Sequence, residues 1–289
     1  MEDYYKKGVY PATYKILVLG DVHGDKYATI NSLKKGGVID NNLNWKAGKA
    51  HVVQMGDILD RGGRFKNMAY DEDSEFDIIN LFLKLMTQAY KAGGGFHCIL
   101  GNHELMNIMG NFSFTSRKGI THFKKRALGR RVFFFPGSKM CRIFAKYWNP
   151  IIKIGKYIFC HGGLSYNISA KYSIPNINKL MRSFLMGNKK LLKNTVFNQL
   201  FLDSNSLLWN RKFSNGNFCI KRAHEILRKK KCSYMVVGHT PQKDGINIKK
   251  GIVWCVDTGM STAFGNRLND SKLQMLQIIN NGKKVKIIK

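Results

Sequence analysis

Short apolar runs that end on glycine-flanked polar residues recur along this chain. Lys15-Ile16-Leu17-Val18-Leu19 runs into Gly20-Asp21-Val22-His23-Gly24, and His51-Val52-Val53-Gln54-Met55 into Gly56-Asp57-Ile58-Leu59-Asp60-Arg61-Gly62. A third run, Phe96-His97-Cys98-Ile99-Leu100, breaks on Gly101-Asn102-His103-Glu104. Apolar runs this short, bounded by turn residues, read as buried strands. A strand end that presents an amide, an imidazole and a carboxylate in succession is poor material for a core.

The second half repeats the pattern. Ile151 to Cys160 reads as a hairpin-like strand pair about Gly155 and delivers His161-Gly162-Gly163. Ser233 to Val237 delivers Gly238-His239-Thr240, and Gly251 to Val256 ends at Asp257-Thr258-Gly259. A last hairpin, Lys272 to Ile279 and Lys283 to Ile288, turns at Asn280-Asn281-Gly282. Between the early strands lie helical signals. Tyr27 to Lys35 forms a short helix closed by Gly36-Gly37. Asp71 to Tyr90 is the clearest helix, with Asp73 or Ser74 as cap and Phe76, Ile79, Leu83 and Met86 at helical spacing. Leu105 to Met109 begins another, and residues 164–232 are mostly helix and loop. Strands alternating with helices early, and strands in close succession late, predict an α/β core of one domain over residues 1–289.

Composition narrows the class. The chain has 289 residues, 44% of them hydrophobic, so it can bury a full core and is not disordered as a whole. No apolar run approaches the roughly 18 residues that span a bilayer, and Met1-Glu2-Asp3-Tyr4-Tyr5-Lys6-Lys7 has no apolar leader segment. Six cysteines without CxxC spacing fit a reducing compartment better than a disulfide framework. The expected location is therefore intracellular and cytoplasmic, with nucleus or virion left open. Forty-eight Lys and Arg against 18 Asp and Glu give a net charge of +30. That excess suits contacts with acidic proteins, nucleic acid or a membrane surface, or else reflects solubility and a general bias toward lysine and asparagine. Within it, Arg117 to Arg131 is a basic stretch, read as a solvated helix face, with the substrate approach as the alternative. Tyr4, Tyr5 and Tyr10 are expected to pack on the domain surface, the alternative being a docking arm. Asp244 and Asp257 read as outlying carboxylates or, equally well, as turn residues.

The candidate chemistry lies at the strand ends. Of eight histidines, His23, His103, His161 and His239 sit at glycine-flanked strand ends; His51, His97, His122 and His224 sit inside strand or helix runs and are read as structural. Asp21, His23, Asp57, Asn102, His161 and His239 make a mixed N and O donor set without thiolate, suited to Mn, Fe or Zn. Two ions about 3.5–4 Å apart, bridged by one carboxylate, would use all six. Such a pair generates hydroxide near neutral pH and neutralises phosphoryl oxygens, which the very slow hydrolysis of phosphate monoesters requires.

In order, GDVHG, GDILDRG, GNHE, HGG and GHT resemble the metallophosphoesterase (calcineurin-like) superfamily. The forms Asp60-Arg61-Gly62, Glu104 and His161-Gly162-Gly163 are those of its phosphoprotein phosphatases. Gly101 to Asn107 and Leu208-Trp209-Asn210-Arg211 resemble the Shewanella-like branch. The resemblance covers about residues 15–262 and implies a central β-sandwich flanked by helices, in α/β/β/α layers, with metals at the strand ends. It also implies roles. Asp21, His23 and Asp57 hold one metal, and Asp57 bridges to a second completed by Asn102, His161 and His239. A metal-bridging hydroxide attacks phosphorus, His103 protonates the leaving alkoxide, and Asp60 orients His103. Arg61 clamps the phosphate, with Arg211 and Asn102 beside it, and Glu104 supports the loop. Asp257 to Ser261 replaces the tyrosine-bearing loop of the animal enzymes, so phosphoserine, phosphothreonine and phosphotyrosine all stay open. A nucleotide or dinucleoside polyphosphate hydrolase is the rival enzyme. A non-catalytic polyanion-binding protein on the same fold is the rival from another class.

Overall fold

A computed structural model describes residues 1–64, 70–124, 129–265 and 268–289, and the side chains of all of these except residues 122–124 and 169. Among the described residues, twelve strands form two six-stranded sheets. In chain order they are β1 (Val9–Tyr10), β2 (Lys15–Leu19), β3 (His51–Gln54), β4 (Gly95–Ile99), β5 (Trp148–Asn149), β6 (Ile151–Ile154), β7 (Tyr157–Cys160), β8 (Tyr234–Val237), β9 (Asn247–Lys249), β10 (Val253–Cys255), β11 (Met275–Ile279) and β12 (Lys284–Ile288). One sheet runs β12-β11-β2-β3-β4-β5 and the other β1-β6-β7-β8-β10-β9. The helices are α1 (Glu2–Lys6), α2 (Lys26–Lys35), α3 (Glu75–Lys91), α4 (Asn102–Ile108), α5 (Arg117–Lys124), α6 (Gly129–Phe134), α7 (Lys139–Tyr147), α8 (Tyr166–Lys171), α9 (Ile174–Leu185), α10 (Thr195–Phe201), α11 (Ile220–Lys229) and α12 (Thr262–Gly265). No described helix is long and apolar enough to cross a membrane.

The unbroken apolar runs follow from burial on both faces of each strand. In β2, Ile16 and Val18 join Val53, Ile99, Ile152, Phe159, Val236 and Val256 in one cluster, between the sheets. Leu17 and Leu19 point the other way and join Val52, Phe96 and the α3 residues Ile79, Phe82 and Met86. This is the layered α/β sandwich that the motif order implies. β2, β3 and β4 are mutually parallel, with Leu19 opposite Gln54 and Gln54 opposite Cys98. β7, β8 and β10 are parallel in the other sheet, with Phe159 opposite Val236 and Cys255 opposite Val237. Parallel neighbours end on the same edge, so the polar strand ends of both sheets gather in one place.

Several sequence expectations shift. α3 begins at Glu75, after Asp71, because its first turn is drawn inward: Glu75 is buried. Ser74 takes the N-cap position but its side chain makes no capping bond. The buried stripe is Ile78, Ile79, Phe82, Leu85, Met86 and Ala89, while Phe76 and Leu83 are only half-buried. The N-terminal aromatics are not surface packing. Tyr5 and Tyr10 are 0% and 3% exposed, and the Tyr5 hydroxyl donates to the Met86 carbonyl at 2.9 Å. β1 pairs in parallel with β6, so the lead-in is a strand of the second sheet. His51 and His97 do serve the core, with Nε2 of His97 3.0 Å from Nδ1 of His51. The basic stretch divides: Arg117 and Lys118 are exposed on α5, whereas Arg130 on α6 is buried. The side chains of His122 and Lys124, and residues Lys125 and Arg126, lie outside the described residues.

Candidate functional site

Each site residue sits where a parallel strand stops and the backbone turns sharply. His23, Asp57, Asp60 and His239 have φ of 40°, 52°, 71° and 67°, in the left-handed region that side chains rarely adopt. Such strain costs of order 1–3 kcal/mol per residue and persists only where the surroundings fix it. Glu104 does much of the fixing. Its carboxylate accepts four backbone N–H groups, from Asp57 (2.9 Å), Ile58 (2.8 Å), Leu59 (3.0 Å) and Gly101 (2.8 Å). Burial and then the nearby Asp57 push it up to about 7. The Asp57 carbonyl accepts from the amides of Val22 and His23, which ties the first loop to the second. Oδ2 of Asp21 accepts the His239 amide at 2.9 Å, which ties the two sheets together.

Asp57 stands at the middle. Its carboxylate belongs to two separate groups of convergent ligand atoms, one with His23 and His103 and one with His161 and His239, each within 4.8 Å. Oδ2 lies 3.1 Å from Nε2 of His161, 3.7 Å from Nε2 of His23 and 3.9 Å from Nε2 of His103. Each imidazole is oriented through its other nitrogen. Nδ1–H of His23 donates to the Leu59 carbonyl at 3.1 Å, and Nδ1–H of His161 to the Met55 carbonyl at 2.8 Å. Nε2–H of His239 donates to the Trp209 carbonyl at 3.2 Å. Fixing one nitrogen leaves the other as a lone pair aimed at the centre.

The donor set fits cations. Oδ1 of Asn102 is 2.9 Å from Nε2 of His161, beside Asp57 Oδ2. With Nδ1 of His161 donating to a carbonyl, three acceptors converge there. They need either a cation or a proton between them; accordingly, although burial works to lower the His161 pKa, Asp57 raises it overall. Oδ1 of Asp21 is buried with no partner among the described residues, and burial, then Asp257 and Asp57, hold its carboxyl well above the usual range. Asp57 goes the other way: burial opposes its charge, but His161, His103 and His23 together hold it well below. Burial and neighbouring cations drive His23 and His239 well down, which keeps them neutral as ligands must be.

His103 differs from the rest. Its Nδ1 is 2.8 Å from Oδ2 of Asp60, a carboxylate and not a carbonyl. Burial works to lower its pKa, but Asp57 and Asp60 raise it overall. Asp60 is held in turn by Thr115 Oγ1 at 2.8 Å and lies 3.5 Å from Nη2 of Arg130. Arg211 donates from Nη1 to the His239 carbonyl at 2.7 Å and is exposed at the rim.

Arg61 departs from its expected place. Its guanidinium pairs with Asp25 (3.2 Å) and Glu72 (3.0 Å) and donates to the Gly24 and Tyr70 carbonyls and to Thr262 Oγ1. With two carboxylates around it, it ties loops together, and each of its three nitrogens already has a partner. Arg64 comes to the centre instead, its Nη2 3.4 Å from Nδ1 of His23. Sequence reasoning missed Arg64, and it read Arg130 only as part of the solvated basic stretch Arg117 to Arg131, whereas Arg130 is buried. Asp257, read as an outlying carboxylate or a turn residue, is buried and has one carboxylate oxygen without a partner among the described residues.

Comparison with known proteins gives the family. The model of the calcineurin-like phosphoesterase family matches residues 14–243. The chain is 30% identical over 291 residues to Shewanella-like protein phosphatase 1 of Plasmodium berghei, covering 93% of this chain and 76% of that one. It is 29% identical to Shewanella-like protein phosphatase 2 of Arabidopsis thaliana, covering 88% and 73%. The crystal structure of a cold-active protein-tyrosine phosphatase of a psychrophilic Shewanella superposes with a TM-score of 0.81 at 25% identity, over 98% of this chain and 82% of that one. A chain with this motif order, these paired ligand groups and these relatives belongs to the calcineurin-like phosphoesterase family of enzymes, among the Shewanella-like protein phosphatases.

Proposed function

We propose that this chain is a binuclear metal-dependent phosphomonoesterase that dephosphorylates phosphoproteins. The observation that carries the reading is the single carboxylate of Asp57 shared by two ligand groups, beside a His103–Asp60 pair. Asp21, His23 and Asp57 would hold one divalent cation, and Asp57, Asn102, His161 and His239 the other, with Mn, Fe or Zn suited to the donors. When bound, the cations activate water near neutral pH and neutralise the phosphoryl oxygens. The protein supplies the rest. Asp60 fixes Nδ1 of His103, so the proton that reaches the leaving alkoxide stands on Nε2. Against the effect of burial, Asp57 and Asp60 shift the His103 pKa upward, in the direction that favours that proton. Arg211, anchored to the His239 carbonyl, stands at the rim where an approaching phosphate meets the second ligand group. Glu104 touches no substrate and positions the Asp57 loop.

His103→Asn tests the mechanism. It keeps the side chain polar and removes the acid, so kcat on a phosphopeptide with Mn2+ is expected to fall by about 10²–10⁴. A variant as fast as wild type overturns the assignment. A panel of phosphoserine, phosphothreonine and phosphotyrosine peptides, run beside diadenosine tetraphosphate, tests the substrate. Preferred cleavage of the dinucleotide would replace the phosphoprotein reading.

A further inference from the structure

The loop that carries Asp60 also brings a second arginine to the centre, four residues on. Gly62 and Gly63 allow it. The Gly62 amide donates to the Phe114 carbonyl at 2.7 Å, and a side chain on either glycine would run into the backbone of residues 113–116. Gly63 also has φ of +75°, which only glycine adopts readily. The loop therefore lies flat against the segment that bears Phe114, and Arg64 emerges between two aromatic rings. Its guanidinium carbon is 4.5 Å from the Phe264 ring centroid and 5.3 Å from that of Phe114. Those rings flank a proposed metal ligand and the proposed acid: Phe264 is 5.1 Å from His23, and Phe114 is 5.2 Å from His103, between ring centroids.

The bonding of Arg64 leaves it available. Nη1 donates to the Asp60 and Gly62 carbonyls at 3.1 and 3.0 Å, and among the described residues it forms no ion pair. Arg61, by contrast, is fully engaged by Asp25 and Glu72. A half-buried arginine that is stacked, oriented and, among the described residues, without a carboxylate in ion-pair contact presents a charged fork ready for an oxyanion. We propose that Arg64 is a further guanidinium that receives the substrate's phosphoryl oxygens on the His23–His103 side of the centre, with Phe114 and Phe264 holding its plane. Arg211 serves the His161–His239 side, so one arginine stands at each ligand group. The proposal rests on the phosphomonoesterase reading and adds the residue that recognises the anion.

The test uses the full Mn2+-loaded chain, with inorganic phosphate as the probe in calorimetry and p-nitrophenyl phosphate as the substrate. Arg64→Ala is expected to weaken phosphate binding and raise KM by about tenfold to a hundredfold, with Mn2+ affinity unchanged. Arg64→Lys keeps a cation and most of the packing, and is expected to recover only part of the loss. Wild-type phosphate affinity and KM in both variants overturn the proposal while leaving the enzyme reading intact. Loss of Mn2+ together with phosphate also overturns it, because Arg64 would then support the ligands. A wild-type protein that neither binds phosphate nor hydrolyses the ester overturns both readings.

Discussion

Arg130 is the most exacting test of how the centre is supported. Its guanidinium pairs with both carboxylate oxygens of Glu75, reaches within 3.5 Å of Asp60 Oδ1, donates from Nε to Asn107 Oδ1 at 2.6 Å, and lies 5.2 Å from the Phe134 ring centroid. All three charged partners are buried, at 4% exposure for Arg130 and Glu75 and 0% for Asp60. Arg130→Met fills the space and removes the charge, which strands the Glu75 carboxylate in the interior and leaves Asp60 to His103 and Thr115. Removing one partner of a buried pair costs about 3–5 kcal/mol. For a chain of this size that is a drop in Tm on the order of 10 °C. The assay is urea unfolding with EDTA present, followed by circular dichroism, so that bound metal does not enter. Glu75→Gln in the Arg130→Met background removes one stranded charge and is expected to restore about 1–3 kcal/mol. A single variant within about 1 kcal/mol of wild type would refute the reasoning, as would a double variant whose loss is the sum of the two. Activity adds a second readout. Asp60 holds Nδ1 of His103, so kcat is expected to fall with KM little changed.

Three further outcomes follow from the same geometry. A side chain at Gly101 would meet the Asp57 carboxylate and amide inside van der Waals contact, so Gly101→Ala is expected to cost about 1–3 kcal/mol and to weaken Mn2+ binding in calorimetry. Burial pushes His51 down to about 4 from 6.5, so the unfolded chain binds the extra proton and stability is lost as pH falls from 6.5 towards 4; His51→Asn is expected to remove about 3 kcal/mol of that loss in unfolding measured across the range. Asp21 is held well above the usual carboxylate range by burial, Asp257 and Asp57, so Asp21→Asn is expected to stabilise the metal-free chain at pH 8. The same variant is expected to forfeit the roughly 2.7 kcal/mol that a hundredfold excess of Mn2+ over its Kd gives wild type, read as the Tm difference with and without EDTA.

The strands and their polar ends were legible because each signal is local. An apolar run closed by glycine says strand and turn whatever surrounds it, as at Leu19-Gly20 and Leu100-Gly101. The hairpin about Gly155 and the turn at Asn280-Asn281-Gly282 were equally plain, since positive φ selects those residues. The registry of α3 was not. Its apolar positions allow more than one stripe, and the choice fell to what β4 and the loop of Asp60 offered: Phe96 for Phe82 to pack on, and a backbone amide for Glu75 to accept at 2.6 Å.

Charged residues mark the limit of sequence reading here. The basic segment looked like a solvated face, and Arg117 and Lys118 are exposed. Arg130 in the same segment is buried, because two carboxylates from other parts of the chain meet it there. Arg61 and Arg64 are placed by distant segments for the same reason: Asp25 and Glu72 pair with the first, and two phenylalanines far apart in sequence stack the second. The sequence by itself determined which side chains stand at the strand ends and therefore the class of chemistry, since those choices are set by local backbone geometry. Only the tertiary structure decided which charges are spent on one another and which remain for a ligand. Pairing depends on distances between segments that no local pattern encodes.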